Sequence, residues 1–194
     1  MRCDMCSGKE CEKGNPCVTK DSIPLYSDPQ EYKMMQAAAS VEADFYGDFN
    51  RIQEIVVFAG RMGYKKLGIA FCIGLASEAE KLCAFLSEYF EVESVCCKTC
   101  GIPKSELGAK RGCNVGETSC NPIEQARILK ECGTELNLLL GLCVGHDALF
   151  IKHSHTYVIP VAVKDRVTGH NPLAAIYCSA AFKKMNRIKL DDKY

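Results

Sequence analysis

The stretch LGIAFCIGLASEAEKLCAFL, residues 67–86, places a short apolar strand directly before an amphipathic helix. Residues 67–72 are almost all apolar, which is typical of a strand buried on both faces of a parallel sheet. Downstream, Ser77 and Glu80 stand at the N-cap and N3 positions of a helix. The stretch therefore predicts a strand followed by a helix, with Cys72 at the end of the strand.

The same order of elements recurs along the chain. Further strands are predicted over residues 92–97, 135–143 and 156–163, and Pro160 indicates an edge position or a local irregularity for the last of them. Helices are predicted after Asn121 and Pro122, near His146, and as one continuous element over residues 172–182. This alternation predicts a Rossmann-like, three-layer α/β fold, in which helices cover a mostly parallel sheet.

The residues before the first strand divide into two predicted parts. Residues 1–22 have too few large apolar side chains to form a core, and they form a four-cysteine segment. Residues 23–63 are predicted to form a helical hairpin that connects this segment to the α/β domain of residues 64–194. Asp28, Pro29 and Glu31 start its first helix, and Gly63 ends its second helix.

Charge and hydropathy exclude several classes of partner. The chain of 194 residues carries 24 basic and 24 acidic side chains, which argues against a nucleic-acid or anionic membrane surface. No apolar run approaches the roughly 20 residues of a membrane span. The first residues lack the apolar core of a secretory signal, so we expect a cytoplasmic protein without nucleic-acid or membrane partners.

Fourteen cysteines are the main departure from ordinary composition. In a reducing compartment, clustered cysteines indicate metal, iron–sulfur or thiol chemistry rather than disulfides. Cys3, Cys6, Cys11 and Cys17 have the spacing C-x2-C-x4-C-x5-C in the segment that lacks a core. These four thiols predict a metal site, and the spacing leaves zinc and an iron–sulfur cluster open as alternatives.

A second group of cysteines follows the predicted strands, whose carboxyl ends share one rim in a parallel sheet. Cys72, Cys100, Cys120 and Cys143 are candidate ligands of a second metal site. If the rim is catalytic, the candidate residues are Cys143, His146 and Cys100, because thiolates and imidazoles are the reactive groups there. Lys164 and Arg166 are candidates for binding an anionic cofactor or substrate.

Simpler interpretations remain open at the rim. Cys72 and Cys143 are also explained as packed thiols, and His146 as a helix-capping residue. Cys97 and Cys100 form a C-x-x-C pair, but Gly101 follows them where a thioredoxin-like dithiol would open a helix. The cysteines inside predicted helices are assigned to packing, namely Cys83, Cys132 and Cys178.

Several motifs in combination resemble the cysteine-rich metal-binding proteins of archaea and anaerobic bacteria that are catalogued as a domain of unknown function. The motifs are MRCDMCSGKEC, FCIGL, CKTCGIPK, CNPIEQARIL, LLLGLCVGHDALFIKHS, KDR and GHNPLAAIY. The resemblance implies metal binding by the four N-terminal cysteines and supports the rim cysteines as a second set. It implies no activity.

Two classes of function follow from these observations. In the first, the protein binds zinc or an iron–sulfur cluster at its N-terminus, and the rim carries redox or metal-cluster chemistry with a small-molecule or redox partner. In the second, it is a non-catalytic metal sensor, carrier or interaction module with a structural zinc. The sequence leaves open whether the protein is an enzyme.

Overall fold

The computed structural model describes residues 2–18, 21–112 and 116–185 of the chain. The chain divides into two compact units, Met1–Asp44 and Phe45–Tyr194. Among the described residues, no helix is long and apolar enough to cross a membrane.

The first unit consists of three short 3-10 turns followed by a long helix. The turns are Cys3–Met5, Glu10–Lys13 and Ile23–Tyr26, and helix α1 spans Pro29–Phe45. The side chain of Asp28 caps α1 by accepting hydrogen bonds from the backbone of Gln30 and Glu31, at 2.8 and 3.0 Å, which confirms the predicted start. Every residue from 2 to 18 is exposed, so this segment has no core of its own.

The second unit begins with helix α2 (Arg51–Met62) and then alternates strands with helices. Its elements are β1 (Lys66–Phe71), α3 (Ala76–Leu86), β2 (Glu91–Cys96), α4 (Pro122–Glu131), β3 (Leu136–Leu140), α5 (His146–His153), β4 (Val158–Ala162), α6 (Leu173–Tyr177) and α7 (Ser179–Met185). An asparagine starts both α2 and α4, because the side chains of Asn50 and Asn121 accept hydrogen bonds from the first turn of each helix.

The four strands form one sheet in the order β2-β1-β3-β4, and every neighbouring pair is parallel. The two most apolar strands, β1 and β3, lie in the centre, where residues such as Leu67, Ile69 and Leu138 are fully buried. Strand β4 lies at an edge, as Pro160 predicts. This architecture confirms the predicted Rossmann-like α/β fold with a parallel sheet.

Right-handed crossovers distribute the helices over both faces of the sheet. The chain moves from β1 to β2 in one direction and returns past β1 to β3 and β4 in the other, so α3 lies opposite α4 and α5. Helices α4 and α5 pack against each other, while α2 and α3 line a common groove. The order of the strands reverses between β1 and β3, and ligands of such sheets bind beyond the strand ends at this point.

Several predicted boundaries differ from the structure, and three of the differences have their cause in the local backbone. Strand β3 ends at Leu140 rather than residue 143, because Gly141 adopts φ +65° and a Cβ there would lie 2.2 Å from Leu75 Cδ1. Helix α3 begins at Ala76 as the continuation of a 3-10 turn, so Ser77 is not its N-cap. The last predicted helix breaks into α6 and α7 at Cys178, whose extended backbone leaves its side chain exposed rather than packed.

A buried polar network lies near the amino ends of the central strands. Asn137 on β3 is fully buried, and its Oδ1 accepts a hydrogen bond from Thr134 Oγ1 at 2.8 Å. Its amide nitrogen donates to Ser154 Oγ at 3.0 Å. Gly68 is the register partner of Asn137 on β1, and a Cβ at Gly68 would lie 2.2 Å from Asn137 Oδ1. Glycine at 68 therefore makes room for the asparagine.

We expect Gly68→Ala to lower the free energy of unfolding by about 2 kcal/mol, because the added methyl group overpacks the sheet against Asn137. Gly60→Ala is the matched control, since a Cβ at this exposed position of α2 meets nothing within 4 Å. Alanine favours a helix by about 1 kcal/mol over glycine, so the control should be neutral or stabilising. Urea denaturation measures both values, and equal effects would contradict the close packing of Gly68.

Candidate functional site

The four N-terminal cysteines line one cavity. Cys3 and Cys11 lie on the first two 3-10 turns, Cys6 follows the first turn, and Cys17 lies beyond the second. Their thiols line a cavity of about 580 Å³ together with Arg2, Lys9 and Glu12. The backbone of the segment folds back locally, since Lys9 Nζ donates to the carbonyl of Cys3 at 3.0 Å. The four thiols therefore face a common space.

The donor set of this cavity suits a thiophilic metal. A tetrahedral zinc site with Zn–S bonds near 2.3 Å would hold its sulfurs about 3.8 Å apart. Among the described residues, no group of three or more cysteine, histidine or acidic side chains is gathered closely enough to hold a metal ion. The four thiols thus share one cavity in an open arrangement, and coordination would require the two turns to close around the ion.

Backbone hydrogen bonds bring three other cysteines together at the rim of the sheet. Phe71 and Cys96 are register partners, so Cys72 and Cys97 each lie one residue beyond the end of a neighbouring strand. The backbone of Cys97 donates to the carbonyl of Phe71 at 2.8 Å. The backbone of Asn121 in turn donates to the carbonyl of Cys97 at 2.8 Å, which brings Cys120 beside the strand ends.

These residues, Cys72, Cys97 and Cys120, form a contiguous group that we call the rim thiol cluster. The sulfurs of Cys97 and Cys120 are 3.7 Å apart, and the side chain of Cys97 also hydrogen-bonds that of Cys72. The backbone nitrogen of Ile73 donates to the Cys97 sulfur at 3.3 Å. Cys97 is thus the central thiol of the cluster, with a cysteine on either side.

Basic side chains surround the cluster. Lys98 Nζ lies 3.4 Å from the sulfur of Cys120, and it also donates to the carbonyl of Thr118 at 2.7 Å. Lys164 hydrogen-bonds the side chain of Cys72. Its amine lies so close to Gly74 that a Cβ there would be 3.1 Å from Nζ. The absence of a side chain at Gly74 therefore lets the lysine reach the cluster.

Hydrogen bonds, nearby charges and burial shift the pKa values of the three thiols in different directions. The hydrogen bond with Cys97 and the ammonium of Lys98 together lower the pKa of Cys120 to about 5, against the effect of burial. Cys97 and Lys164 act in the same way on Cys72, whose pKa also falls to about 5. The pKa of Cys97 is raised by its hydrogen bonds with Cys120 and Cys72 and by burial. The two flanking thiols therefore ionise more readily than the central one.

Cys143 lies at the same rim in the loop between β3 and α5. Its sulfur is 3.4 Å from Nη2 of Arg166, and the hydrogen bond with the Cys143 side chain raises the pKa of this guanidinium. Cys72 and Cys120 raise the pKa of Arg166 as well, so the guanidinium is within electrostatic range of the cluster. His146, the first residue of α5, is half-buried and lowers the pKa of Cys120.

The structure assembles the predicted rim residues only in part. Cys72 and Cys120 lie in the cluster, and Cys143, His146, Lys164 and Arg166 lie close enough to contact or polarise a rim thiol. Cys100 is exposed with a left-handed backbone, and its sulfur lies 3.6 Å from Glu124 Oε1. Their roles as ligands or catalytic groups stay predictions.

Sequence reasoning missed Cys97 as the centre of the cluster. The sequence places Cys97 on the rim with Cys72 and Cys143 and in a C-x-x-C pair with Cys100, whereas the sulfur beside Cys97 belongs to Cys120. The available signal was the register of β1 and β2, since aligning their apolar residues places Cys97 next to Cys72. The contact with Cys120 depends on the path of the loop before α4, for which the sequence holds no such signal.

Fold and site together define a parallel α/β protein with a thiol-rich rim at its strand ends and a four-cysteine N-terminal segment. The chain belongs to the family described as "Protein of unknown function (DUF1847)", whose pattern matches residues 11–161. This match includes the rim thiol cluster and begins after Cys3 and Cys6.

The chain is also similar to a protein of Methanocaldococcus jannaschii, "Uncharacterized protein MJ0455". The two are 46% identical over 190 residues, which cover 95% of this chain and 98% of that protein. No solved structure matches the chain. The resemblance to a family of unknown function is thereby confirmed, and the metal binding that the resemblance implies stays a prediction.

We expect Lys98→Met to raise the pKa of Cys120, because the substitution removes the ammonium group that stabilises its thiolate. In the wild type, a pKa of about 5 keeps Cys120 reactive toward iodoacetamide at pH 6.5. In the variant, the pH at which Cys120 reacts at half its maximal rate should rise by about one unit. The alkylation rate of the Cys120 peptide, followed by mass spectrometry from pH 5 to 9, measures this shift.

Lys81→Met is the control for the loss of a positive charge, because Lys81 lines the groove between α2 and α3. This variant should keep the pH profile of the wild type. Identical profiles for Lys98→Met and the wild type would contradict the contribution of Lys98.

Proposed function

We propose that the protein is a metal-binding protein whose N-terminal segment holds zinc or an iron–sulfur cluster through Cys3, Cys6, Cys11 and Cys17. The observation that carries this proposal is that the four thiols line a single cavity on a segment without a core. Such a segment gains its folding energy from the bound metal, on the order of 10 kcal/mol for structural zinc.

The charges around the cavity support an anionic metal–thiolate centre. Four thiolates and one Zn²⁺ carry a net charge of −2, and Lys9 lines the same cavity together with Glu12 and with Arg2, which is paired with Asp4. The ammonium of Lys9 is already held next to the backbone of Cys3. The two 3-10 turns are short and exposed, so closing them around an ion disrupts no packed residues.

A second observation favours a reactive-thiol centre at the rim of the sheet, rather than a purely structural role for these cysteines. Three cysteine side chains lie in hydrogen-bond contact, with Lys98 and Lys164 beside them. Packing alone requires neither the cations nor the contact between sulfurs. We propose that the rim thiol cluster carries the chemistry of the protein and that Arg166 attracts anionic groups to it.

The metal site is tested by metal and acid-labile sulfide analysis of protein purified without oxygen. We expect the wild type to carry about one metal centre per chain, and a variant with Cys3→Ser and Cys6→Ser to lose it because half of its ligands are missing. Stoichiometric zinc without visible absorbance would identify the zinc form, and equal iron and sulfide would identify a cluster.

Cys178→Ser is the matched control, since it removes an exposed thiol between α6 and α7. It should retain all of the metal. Retention of metal by the double N-terminal variant would overturn the proposed metal site.

The reactive-thiol centre is tested by competitive alkylation of the reduced native protein at pH 6.5. We expect the Cys120 peptide to be labelled at least tenfold faster than the Cys178 peptide, although Cys178 is the more exposed of the two, because the thiolate is the nucleophile. Faster labelling of Cys178 than of Cys120 would overturn this part of the proposal.

A further inference from the structure

We infer that Cys97 and Cys120 form a dithiol–disulfide couple that reduces small disulfides bearing carboxylate groups, with Cys120 as the attacking residue and Cys97 as the resolving residue. This inference rests on the proposed reactive-thiol centre at the rim. It goes further by assigning a reaction, a substrate class and a separate role to each thiol of the cluster.

The distance between the two sulfurs supports the pairing. Cys97 and Cys120 lie 3.7 Å apart, in contact but without a bond. A disulfide needs a separation of about 2.05 Å, so the sulfurs have to approach by less than 2 Å. Cys120 precedes the N-cap of α4 in a loop, and rotation of its side chain moves the sulfur without disturbing the sheet.

The difference in solvent exposure between Cys120 and Cys97 indicates which thiol attacks the substrate and which resolves the mixed disulfide. Cys72 and Cys97 are only 5% and 2% exposed, whereas Cys120 is the half-buried member of the cluster. A substrate disulfide can therefore reach Cys120, and Cys97 lies behind it. The ammonium of Lys98, 3.4 Å from the Cys120 sulfur, stabilises the thiolate that attacks.

The reaction balances without a further co-reactant. The Cys120 thiolate attacks one sulfur of the substrate RS–SR, which forms a mixed disulfide on Cys120 and releases RS⁻. Once Cys120 is neutral in the mixed disulfide, Cys97 loses its proton to the solvent, and its sulfur then attacks Cys120. This second step forms the Cys97–Cys120 disulfide and releases the other RS⁻. Two electrons pass from the protein to the substrate, and both leaving thiolates take protons from water.

The surroundings of Cys120 select the charge of the substrate. Lys98 and Lys164 border the cluster, and the guanidinium of Arg166 is exposed within electrostatic range of Cys120. These groups attract carboxylates and stabilise the thiolates that leave. A disulfide that carries carboxylates should therefore react faster than one that carries amines.

The test exposes the reduced, full-length protein to oxidised glutathione without oxygen and maps the products by mass spectrometry. We expect a disulfide between Cys97 and Cys120 and the release of two equivalents of reduced glutathione from the rim. Cys97→Ser should stop at the mixed disulfide on Cys120 and release one equivalent. Cys120→Ser should react at least tenfold more slowly at the rim, and Cys178→Ser should behave like the wild type.

Because Cys97 is buried, Cys97→Ala serves as a second variant in case the serine disturbs folding. Mapping the disulfide of the wild-type protein requires no substitution. Cystamine replaces oxidised glutathione in a parallel reaction, and we expect it to react at least fivefold more slowly. Equal rates for the two probes would overturn the assigned substrate class.

The outcomes separate this inference from the proposal on which it rests. If Cys120 is alkylated rapidly but retains glutathione in the wild type, the reactive centre stands and the Cys97–Cys120 couple is overturned. A disulfide between Cys72 and Cys97 would likewise overturn the assigned roles. If Cys120 is not labelled preferentially by iodoacetamide either, the reactive centre itself fails.

Discussion

The parallel pairing of β1 with a strand on each side is the constraint on which the rest of the structure depends. At the carboxyl end of β1, the backbone of Cys72 donates to the carbonyl of Leu140 on β3, and the carbonyl of Phe71 accepts from the backbone of Cys97 after β2. These two hydrogen bonds continue the ladder one residue beyond the strands. They bring thiols from two separate βα connections into contact, in a position that neither segment could hold alone.

A buried side chain from α4 reinforces this arrangement. The amide of Gln125 donates to the carbonyls of Val95 and Phe71 at 2.7 and 3.2 Å, at the ends of β2 and β1. The Oε1 atom of the same buried side chain has no hydrogen-bond partner among the described residues, so the two bonds from Nε2 are what hold the start of α4 against the strand ends. The position of Cys120 relative to Cys97 therefore follows from the same contacts that hold the helix on the sheet.

The fold holds the rim thiols in place but leaves the N-terminal thiols on exposed turns. The rim thiol cluster is held by the sheet before any substrate arrives, so little conformational entropy is lost when it reacts. The N-terminal thiols lie on exposed turns without a core, and a bound metal would have to offset the cost of ordering them. We therefore expect the arrangement of the N-terminal thiols to depend on a bound metal, and the arrangement of the rim thiols to depend on the packing of the sheet.

The fold was largely predictable because its signals are local. Continuous apolar runs mark the central strands, and Asp28 and Asn121 mark the helix starts at which their side chains accept hydrogen bonds. The errors lie where tertiary contacts override a local pattern. Leu75 packs where a side chain at position 141 would stand, which ends β3 early, and the chain breaks at Cys178 within an otherwise helical pattern.

The sequence predicts that the candidate site lies at the rim of the sheet, but not which residues form it. Parallel strands bring cysteines to one edge, but the sequence does not show which sulfurs meet there. Cys97 directly follows β2, whereas Cys100 lies three residues further on in a 3-10 turn, where its left-handed backbone leaves its side chain exposed. The contact between Lys98 and Cys120 also depends on the loop between β2 and α4. Long-range contacts set the path of this loop, such as the hydrogen bond that Lys98 donates to the carbonyl of Thr118.

The close fit between Gly68 and Asn137 has a consequence for how this protein can change. The polar network that they share lies near the beginnings of β1 and β3, whereas the thiols lie beyond the ends of the strands. The buried polar network and the thiol cluster therefore lie at opposite ends of one sheet. Substitutions around Asn137 act on packing far from the thiols, and the loops that carry the cysteines can vary without changing this network.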